Sequence, residues 1–315
     1  MLIENAYEYK IAAVVVTYNR LLLLQECITS LRNQTRKLDE IIVVNNSSTD
    51  GTFDWLNEQR DLTVITQENS GSAGGQYTGI KTAYSTECDW IWCMDDDLIL
   101  LENCIENVLI FLQNHQGLKI AAIQPLKRID NYAVFHGAEF INLDKMKINN
   151  IADTSIEMGF VETNSFCFEG VLLNKKVVES IGLPRQEFFI TNDDREYALR
   201  LKSQFPDFSI ILMGEILMKR LRHTGMTASH YNFISKCRLV TDWDIYVMEQ
   251  YFKNFFIAVK LHYPLKYTYM KAYVFILVHY RWVFKIFVSI IFFKKNKFQR
   301  LSHIFKNVIL YGVYS

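Results

Sequence analysis

The stretch IAAVVVT, residues 11–17, is a continuous run of apolar, largely β-branched residues of strand length, and it constrains the fold more than any other part of the chain. A strand without polar alternation is buried on both faces, as strands are in parallel sheets covered by helices. Helical spacing follows over residues 21–31, then an apolar strand over 41–44, a short helix over 52–59 and a strand over 62–66. A helix over 72–84 and a strand over 89–94 continue the series. Repeated βαβ units of this length predict an open, mostly parallel sheet with right-handed crossovers. Ligands of such sheets bind outside the carboxyl ends of the strands.

Those ends are where the polar residues gather. The first strand runs into Thr17-Tyr18-Asn19-Arg20, and the second into Asn45-Asn46-Ser47-Ser48-Thr49-Asp50-Gly51. The third runs into ENSGSAGG, residues 68–75, and the fourth into Asp95-Asp96-Asp97. All four are expected on one edge of the sheet.

Two readings of the triple aspartate stay open: a solvated acid cluster capping the next helix, or a metal site. If the strand continues, Asp95 and Asp97 fall on one side and Asp96 on the other. Two carboxylates on one side suit Mg2+ or Mn2+, which takes one or two protein carboxylates and completes its shell with substrate phosphates. In ENSGSAGG, which contains Asn69, Gly74 and Gly75, the glycines admit close backbone approach and the helix start attracts phosphate. An ordinary tight turn reads the same way. Asn45, Asn46 and Asp50 offer groups suited to a nucleobase edge and ribose hydroxyls, or to an Asx-rich turn that caps the next helix.

Further along, ITNDDREYALRL, residues 190–201, predicts a helix starting near Asn192-Asp193. Paired acids there, Asp193 and Asp194, can hold one carboxylate as a general base while the neighbour orients it or binds substrate; a plain N-cap with first-turn acids is the alternative. His223, in LRHTG, could complete a carboxylate metal site, although a lone histidine is more often structural. Short strands are expected over 120–124, 133–136, 160–168 and 208–212.

The formal net charge of +0 hides an asymmetry. Residues 251–315 carry 11 Lys or Arg and no Asp or Glu, leaving 34 acids against 23 bases in the first 250. A basic segment of this kind expects an anionic partner. Its interleaved Phe and Ile argue for a membrane surface rather than nucleic acid. Residues 273–293 approach the ~20 apolar residues of a membrane span. His279, Arg281 and Lys285 interrupt them, so helices lying in the interface are expected, with a true span the alternative. The six cysteines show no metal-ligand spacing and sit mostly in apolar runs, as reduced thiols of a cytosolic protein do. The first ten residues lack a basic segment followed by an apolar one, so no cleavable secretion signal is expected.

Taken in order, VVVTYNR, VVNNSSTDGT, ENSGSAGG, WCMDDD, NDDREYALRLK and RHTG resemble the family 2 inverting glycosyltransferases of the GT-A fold over about residues 10–245. The combination of ENSGSAGG, a full DDD and DDxEY is similar to the galactofuranosyl- and rhamnosyltransferase-like branch. The resemblance implies an α/β fold of GT-A type: a mostly parallel central sheet flanked by helices, with a Rossmann-like nucleotide-binding half. A glycosyltransferase domain is expected over residues 1–226, with a nucleotide-sugar half over about 10–125 and an acceptor half over 126–226. A helical, basic, aromatic-rich membrane-associating region is expected over 227–315. By the same resemblance Thr17, Tyr18 and Arg20 line the nucleotide pocket, and Asn46 meets the base where the family often carries Asp. Asp95–Asp97 match the metal–diphosphate motif, with Asp97 the direct ligand of Mn2+ or Mg2+ and His223 a further one. Asp194 matches the catalytic base, with Asp193 on the acceptor side. The implied activity transfers a galactofuranose, galactose or rhamnose-type sugar from a nucleotide-sugar donor, UDP-linked, to a glycan acceptor. Polyprenyl-diphosphate-linked glycans are the expected acceptors, at the inner face of the cell membrane. Two alternatives stand beside it. A nucleotidyltransferase would carry a basic Gly-rich loop early, where LLLLQEC follows Arg20 instead. A non-catalytic sugar-nucleotide-binding or scaffold protein would have lost the acids that are present.

Overall fold

The structure of the protein, a computed structural model, describes residues 9–129, 132–134, 140–142, 147–149, 159–221 and 288. The chain divides into two compact units, one formed by Met1–Phe189 with Asp193–Arg222, the other by Ile190–Asn192 with His223–Ser315. Strands β1 to β12 and helices α1 to α6 all belong to the first unit.

The chain begins with β1 (Ile11–Thr17), α1 (Leu21–Arg32), β2 (Glu40–Asn45), α2 (Thr52–Asn57), β3 (Thr63–Thr66), α3 (Gly71–Tyr84) and β4 (Trp90–Asp95). Strands β1, β2, β3 and β4 pair in parallel, with β1 between β2 and β4. Every residue of β1 is buried. Its side chains divide between two cores, as period-2 alternation demands. Ile11, Ala13 and Val15 join Leu24 and Ile28 of α1 on one face. Ala12 and Val14 join Ile80 and Ala83 of α3 on the other. Helix α3 lies very close to β1 because glycines face it. A Cβ on Gly75 would fall 2.3 Å from Val16 Cγ1, and one on Gly79 would fall 2.1 Å from Val14 Cγ1.

Beyond β4 come β5 (Leu98–Leu100), α4 (Cys104–Asn114), β6 (Ile120–Ile129), β7 (Tyr132–Val134), β8 (Phe140–Asn142) and β9 (Lys147–Asn149). The described chain closes with β10 (Phe160–Thr163), β11 (Val171–Asn174), α5 (Lys175–Ile181), α6 (Asp193–Gln204) and β12 (Ser209–Arg220). The sheet runs β10-β12-β6-β11-β4-β1-β2-β3, with β5 on β12 and β7 on β6, while β8 and β9 form a separate hairpin. Strand β11 is antiparallel to both β4 and β6 and joins the parallel half to the rest. Helices α5 and α6 cover the same face as α3, through Val177, Val178, Tyr197 and Leu201.

Three expectations need correction. The strand expected over 160–168 stops at Thr163, where the Thr163 hydroxyl turns back onto the Ser165 carbonyl at 2.7 Å. The strand expected over 208–212 runs on to Arg220, with register shifts between Leu212 and Met218 that let it pass Gly214 and Glu215. Neither β5 nor β11 is expected from the sequence, since LIL and VLLN are short apolar stretches beside a turn or a helix start. Among the described residues no helix is long and apolar enough to cross a membrane, and residues 273–293 lie outside them apart from Val288.

Candidate active site

The carboxyl ends of β1 and β4 lie side by side, with Val16 paired to Asp95. Strand β4 ends at Asp95 and the chain turns through Asp96 and Asp97 into β5. The alternation expected for the three carboxylates therefore does not apply, because the strand does not continue. Asp96 is instead drawn back toward β1. Its Oδ2 accepts from Thr17 Oγ1 at 2.7 Å and its Oδ1 from Arg20 Nη1 at 3.1 Å. Asp97 Oδ2 lies 3.5 Å from the same Arg20 nitrogen and accepts from Arg220 Nε at 3.2 Å. Asp96 and Asp97 are buried, at 2% and 4% exposure. Burial raises the Asp95 carboxyl well above the usual range, and the charges of Glu169, Asp97 and Asp96 raise it further. Burial also raises Asp96, against the pull of Arg20 and Thr17.

Glu169, just before β11, completes the charged cluster. Its Oε2 accepts from Lys127 Nζ at 2.5 Å and from Arg220 Nη1 at 3.0 Å. Lys127 is only 2% exposed, so this carboxylate is its counter-charge in a place where an unpaired ammonium would be costly. The same carboxylate acts on Asp95 and on Asp194, raising both. Glu169 thus connects the acid turn electrostatically with the start of α6. There Asp193 is buried and pushed up to about 8, by desolvation first and by the charge of Asp194 second. Asp194 is pushed up to about 6 by desolvation, with Arg195 holding it down and Glu169 raising it.

Several polar residues at the strand ends are occupied within the protein. Asn46 Nδ2 donates to the Gly71 carbonyl at 3.0 Å and its Oδ1 accepts from Gln67 at 2.9 Å. Asn45 Oδ1 accepts the Ser48 N–H at 3.0 Å. Asp50 accepts the N–H of Leu21, at the start of α1, and the N–H and hydroxyl of Thr52 in α2. These are the bonds of the Asx-turn reading. In the Gly-rich segment Asn69 Oδ1 accepts the Gly71 N–H at 3.0 Å, and the Ala73 N–H donates to the Phe189 carbonyl at 3.1 Å. Two amides at the start of α3 that the sequence reading offers to phosphate are thus bonded to protein oxygens. Gly74 abuts Ser70 and Gly75 abuts Val16, so the absence of their side chains serves packing. Tyr18, at the end of β1, is 47% exposed.

A divalent cation fits the acid turn through Asp97. Its Oδ1 is buried and has no hydrogen-bond partner among the described residues, an anionic oxygen with unused capacity. Among the described residues no three His, Cys, Asp or Glu side chains come together as a ligand set, and His223 lies outside them. A cation held here would need phosphate oxygens to complete its shell, the usual arrangement for Mg2+.

The model of Glycosyl transferase family 2 matches residues 12–173, which spans β1 to β11 and the whole acid turn. The chain belongs to this family. Family 2 membership makes the protein a glycosyltransferase, and the fold agrees. One relative, galactofuranosyltransferase GlfT1 of Mycolicibacterium smegmatis, is 25% identical over 215 residues, 66% of this chain and 70% of the relative. The putative glycosyltransferase EpsH of Bacillus subtilis is 32% identical over 149 residues, 46% of this chain but only 38% of EpsH. Among solved structures, the mannosyltransferase PcManGT of Pyrobaculum calidifontis, in complex with GDP-Man and Mn2+, superposes with a TM-score of 0.51 at 18% identity. That match covers 78% of this chain and 63% of PcManGT. GalNAc-T7, with UDP, GalNAc and Mn2+, gives 0.58 at 10% identity over 80% of this chain and 48% of its own. Both neighbours are GT-A glycosyltransferases, and the mixed sheet of the first unit has their fold.

Glu169, Lys127 and Arg220 are absent from the sequence reading. One signal for them exists. Lys127 interrupts the apolar strand IAAIQPLKRI, and a charge so placed needs a buried partner.

Proposed function

We propose that the protein is an inverting glycosyltransferase that moves a galactofuranose, galactose or rhamnose-type sugar from a nucleotide-diphosphate donor, UDP-linked, to a hydroxyl of a lipid-borne glycan. The observation that carries this reading is the Asp193–Asp194 pair at the head of α6, Asp193 buried and Asp194 half-buried, in electrostatic reach of the acid turn through Glu169. With its carboxyl near 6, Asp194 is ionised at neutral pH yet basic enough to accept a proton, which is what a general base requires. Asp193, near 8, stays protonated beside it on the acceptor side and can donate a hydrogen bond.

Asp194 takes the proton of the acceptor hydroxyl as its oxygen attacks the anomeric carbon from the face opposite the nucleotide. The bond from that carbon to the diphosphate oxygen breaks in the same displacement. The configuration inverts, the nucleoside diphosphate leaves, and Asp194 later loses the proton to solvent. Thr17 and Arg20 hold Asp96 at the donor edge, and Tyr18 offers an exposed ring to the nucleotide. Arg20 and Arg220 meet the charge that grows on the leaving diphosphate. A divalent cation, Mn2+ or Mg2+, held by Asp97 with Asp95, would neutralise that diphosphate as a Lewis acid. Support for such a donor and cation comes from the two solved neighbours, which hold GDP-Man or UDP together with Mn2+.

The basic residues 227–315 are assigned to the inner face of the cell membrane, where their cations meet anionic lipid and place the site near a polyprenyl-diphosphate-linked acceptor. The test is release of UDP from UDP-galactofuranose, UDP-galactose and, with dTDP, from dTDP-rhamnose, in the presence of Mn2+ and a lipid-linked glycan. Asp194→Asn should lower kcat by about 10²–10⁴-fold with the Kd for UDP unchanged. A wild-type rate in that variant removes Asp194 from the mechanism. A chain truncated after residue 250 that still sediments with vesicles removes the tail as the anchor.

A further inference from the structure

The acid turn is held together by two arginines that come from distant parts of the chain. Arg20 stands at the entry to α1 and Arg220 is the last residue of β12. Both act on the same atom, Asp97 Oδ2, at 3.5 and 3.2 Å, while Asp97 Oδ1 has no partner among the described residues. The Arg220 guanidinium divides its donors, with Nε on Asp97 and Nη1 on Glu169. Its side chain is 28% exposed, against 5% for Asp97, so the cation can leave toward solvent while the carboxylate cannot. A buried carboxylate without counter-charge is costly, so a cation facing Asp97 stabilises the site. A guanidinium is also a natural partner for a diphosphate, because its planar fork matches phosphate oxygens as it matches a carboxylate.

We propose that Arg220 is an internal stand-in for the divalent cation: it neutralises Asp97 in the donor-free protein and passes its guanidinium to the donor diphosphate when the cation takes that carboxylate. This rests on the reading of Asp97 as a metal ligand. Arg220 therefore opposes binding of the cation alone, favours binding of the diphosphate, and makes each ligand improve the site for the other. Such coupling is reciprocal by thermodynamic necessity.

The experiment uses the full chain with Mn2+ alone, UDP alone, and both, reading Mn2+ by electron paramagnetic resonance and UDP by calorimetry. In Arg220→Gln the donor-free affinity for Mn2+ should rise by about fivefold or more, and the Mn2+-free affinity for UDP should fall by a similar factor. The gain in Mn2+ affinity that UDP confers should shrink accordingly. Loss of a packing residue would weaken both ligands together, so opposite shifts separate the proposal from a structural role. Arg20→Gln should move both affinities the same way by less, since its contact with Asp97 is the longer one. Together with Arg220→Lys, which keeps the charge but not the fork, it carries the comparison if Arg220→Gln does not fold. Unchanged or weaker Mn2+ binding in Arg220→Gln overturns the proposal while leaving the metal reading standing. Absence of Mn2+ binding in the wild type, with and without UDP, overturns both.

Discussion

The carbonyl of Phe189 accepts the backbone N–H of Ala73 at 3.1 Å, which fastens the segment leading toward the Asp193–Asp194 pair to the first turn of α3. Gly71 makes the approach feasible. It has φ +74°, and a Cβ there would lie 2.0 Å from the Phe189 carbonyl oxygen. Gly71→Ala should therefore destabilise the protein by about 2 kcal/mol or more, combining left-handed strain with a backbone clash. Thermal unfolding checks it, with each 1 kcal/mol moving Tm by about 2–4 °C at this size. A Tm equal to that of the wild type would mean the contact is absent in solution.

Thr17→Val removes the hydroxyl donor from buried Asp96 and keeps the side-chain volume. Leaving that carboxylate oxygen short of a partner should cost about 1–3 kcal/mol in urea unfolding. The affinity for UDP should fall as well, since Asp96 and Arg20 lose their alignment. Loss of stability with full UDP affinity would show that the bond serves the fold alone.

Asp193 gives stability a definite pH dependence. Its folded-state carboxyl, near 8, lies above the ordinary aspartate value, so the unfolded chain releases this proton first. Stability contributed at acid pH is therefore lost as pH rises from about 4 to about 8, and Asp193→Asn should flatten that slope. Urea unfolding at intervals across the range measures it, and parallel slopes in variant and wild type would rule it out. For activity the sign is opposite at Asp194: kcat/KM should rise with pH through about 6 as the base ionises.

Glu169 is the counter-charge of buried Lys127. Glu169→Ala should cost about 3–5 kcal/mol because an uncompensated ammonium stays behind. Lys127→Met combined with Glu169→Ala should recover much of that loss. A double-mutant cycle reports the coupling, and simple additivity would show the pair to be energetically independent.

The parallel half of the sheet is legible in the sequence because β1, β2 and β4 are unbroken apolar runs whose burial leaves one reading. The head of α6 is legible from the acids of its first turn, while of the apolar positions Tyr197, Leu199 and Leu201 it is Tyr197 and Leu201 that turn inward, with Ala198 in place of Leu199. Strands β5 and β11 are not, since LIL and VLLN are short apolar stretches that a turn or a helix start carries equally well. The orientation of the three aspartates escapes the sequence because it depends on where β4 ends and on Thr17, at the end of β1, and Arg20, at the entry to α1, which hold Asp96. Asn45, Asn46 and Asp50 look like ligand groups, yet the turns around them use their oxygens and amides first. Glu169, Lys127 and Arg220 meet only through the pairing of β6, β11 and β12, a long-range event whose one local trace is the charge of Lys127 within an apolar strand.

Strand β11 has one more consequence. It lies hydrogen-bonded between β4 and β6, so the acid turn and the strands that carry Lys127 and Arg220 belong to one continuous sheet, irregular only where β12 shifts register on β6. A sheet of this kind does not hinge without breaking main-chain bonds in the core. The spacing between the acid turn and the strand positions of Lys127 and Arg220 is therefore set by the sheet itself. Any accommodation of a ligand there falls to side chains and to segments off the sheet.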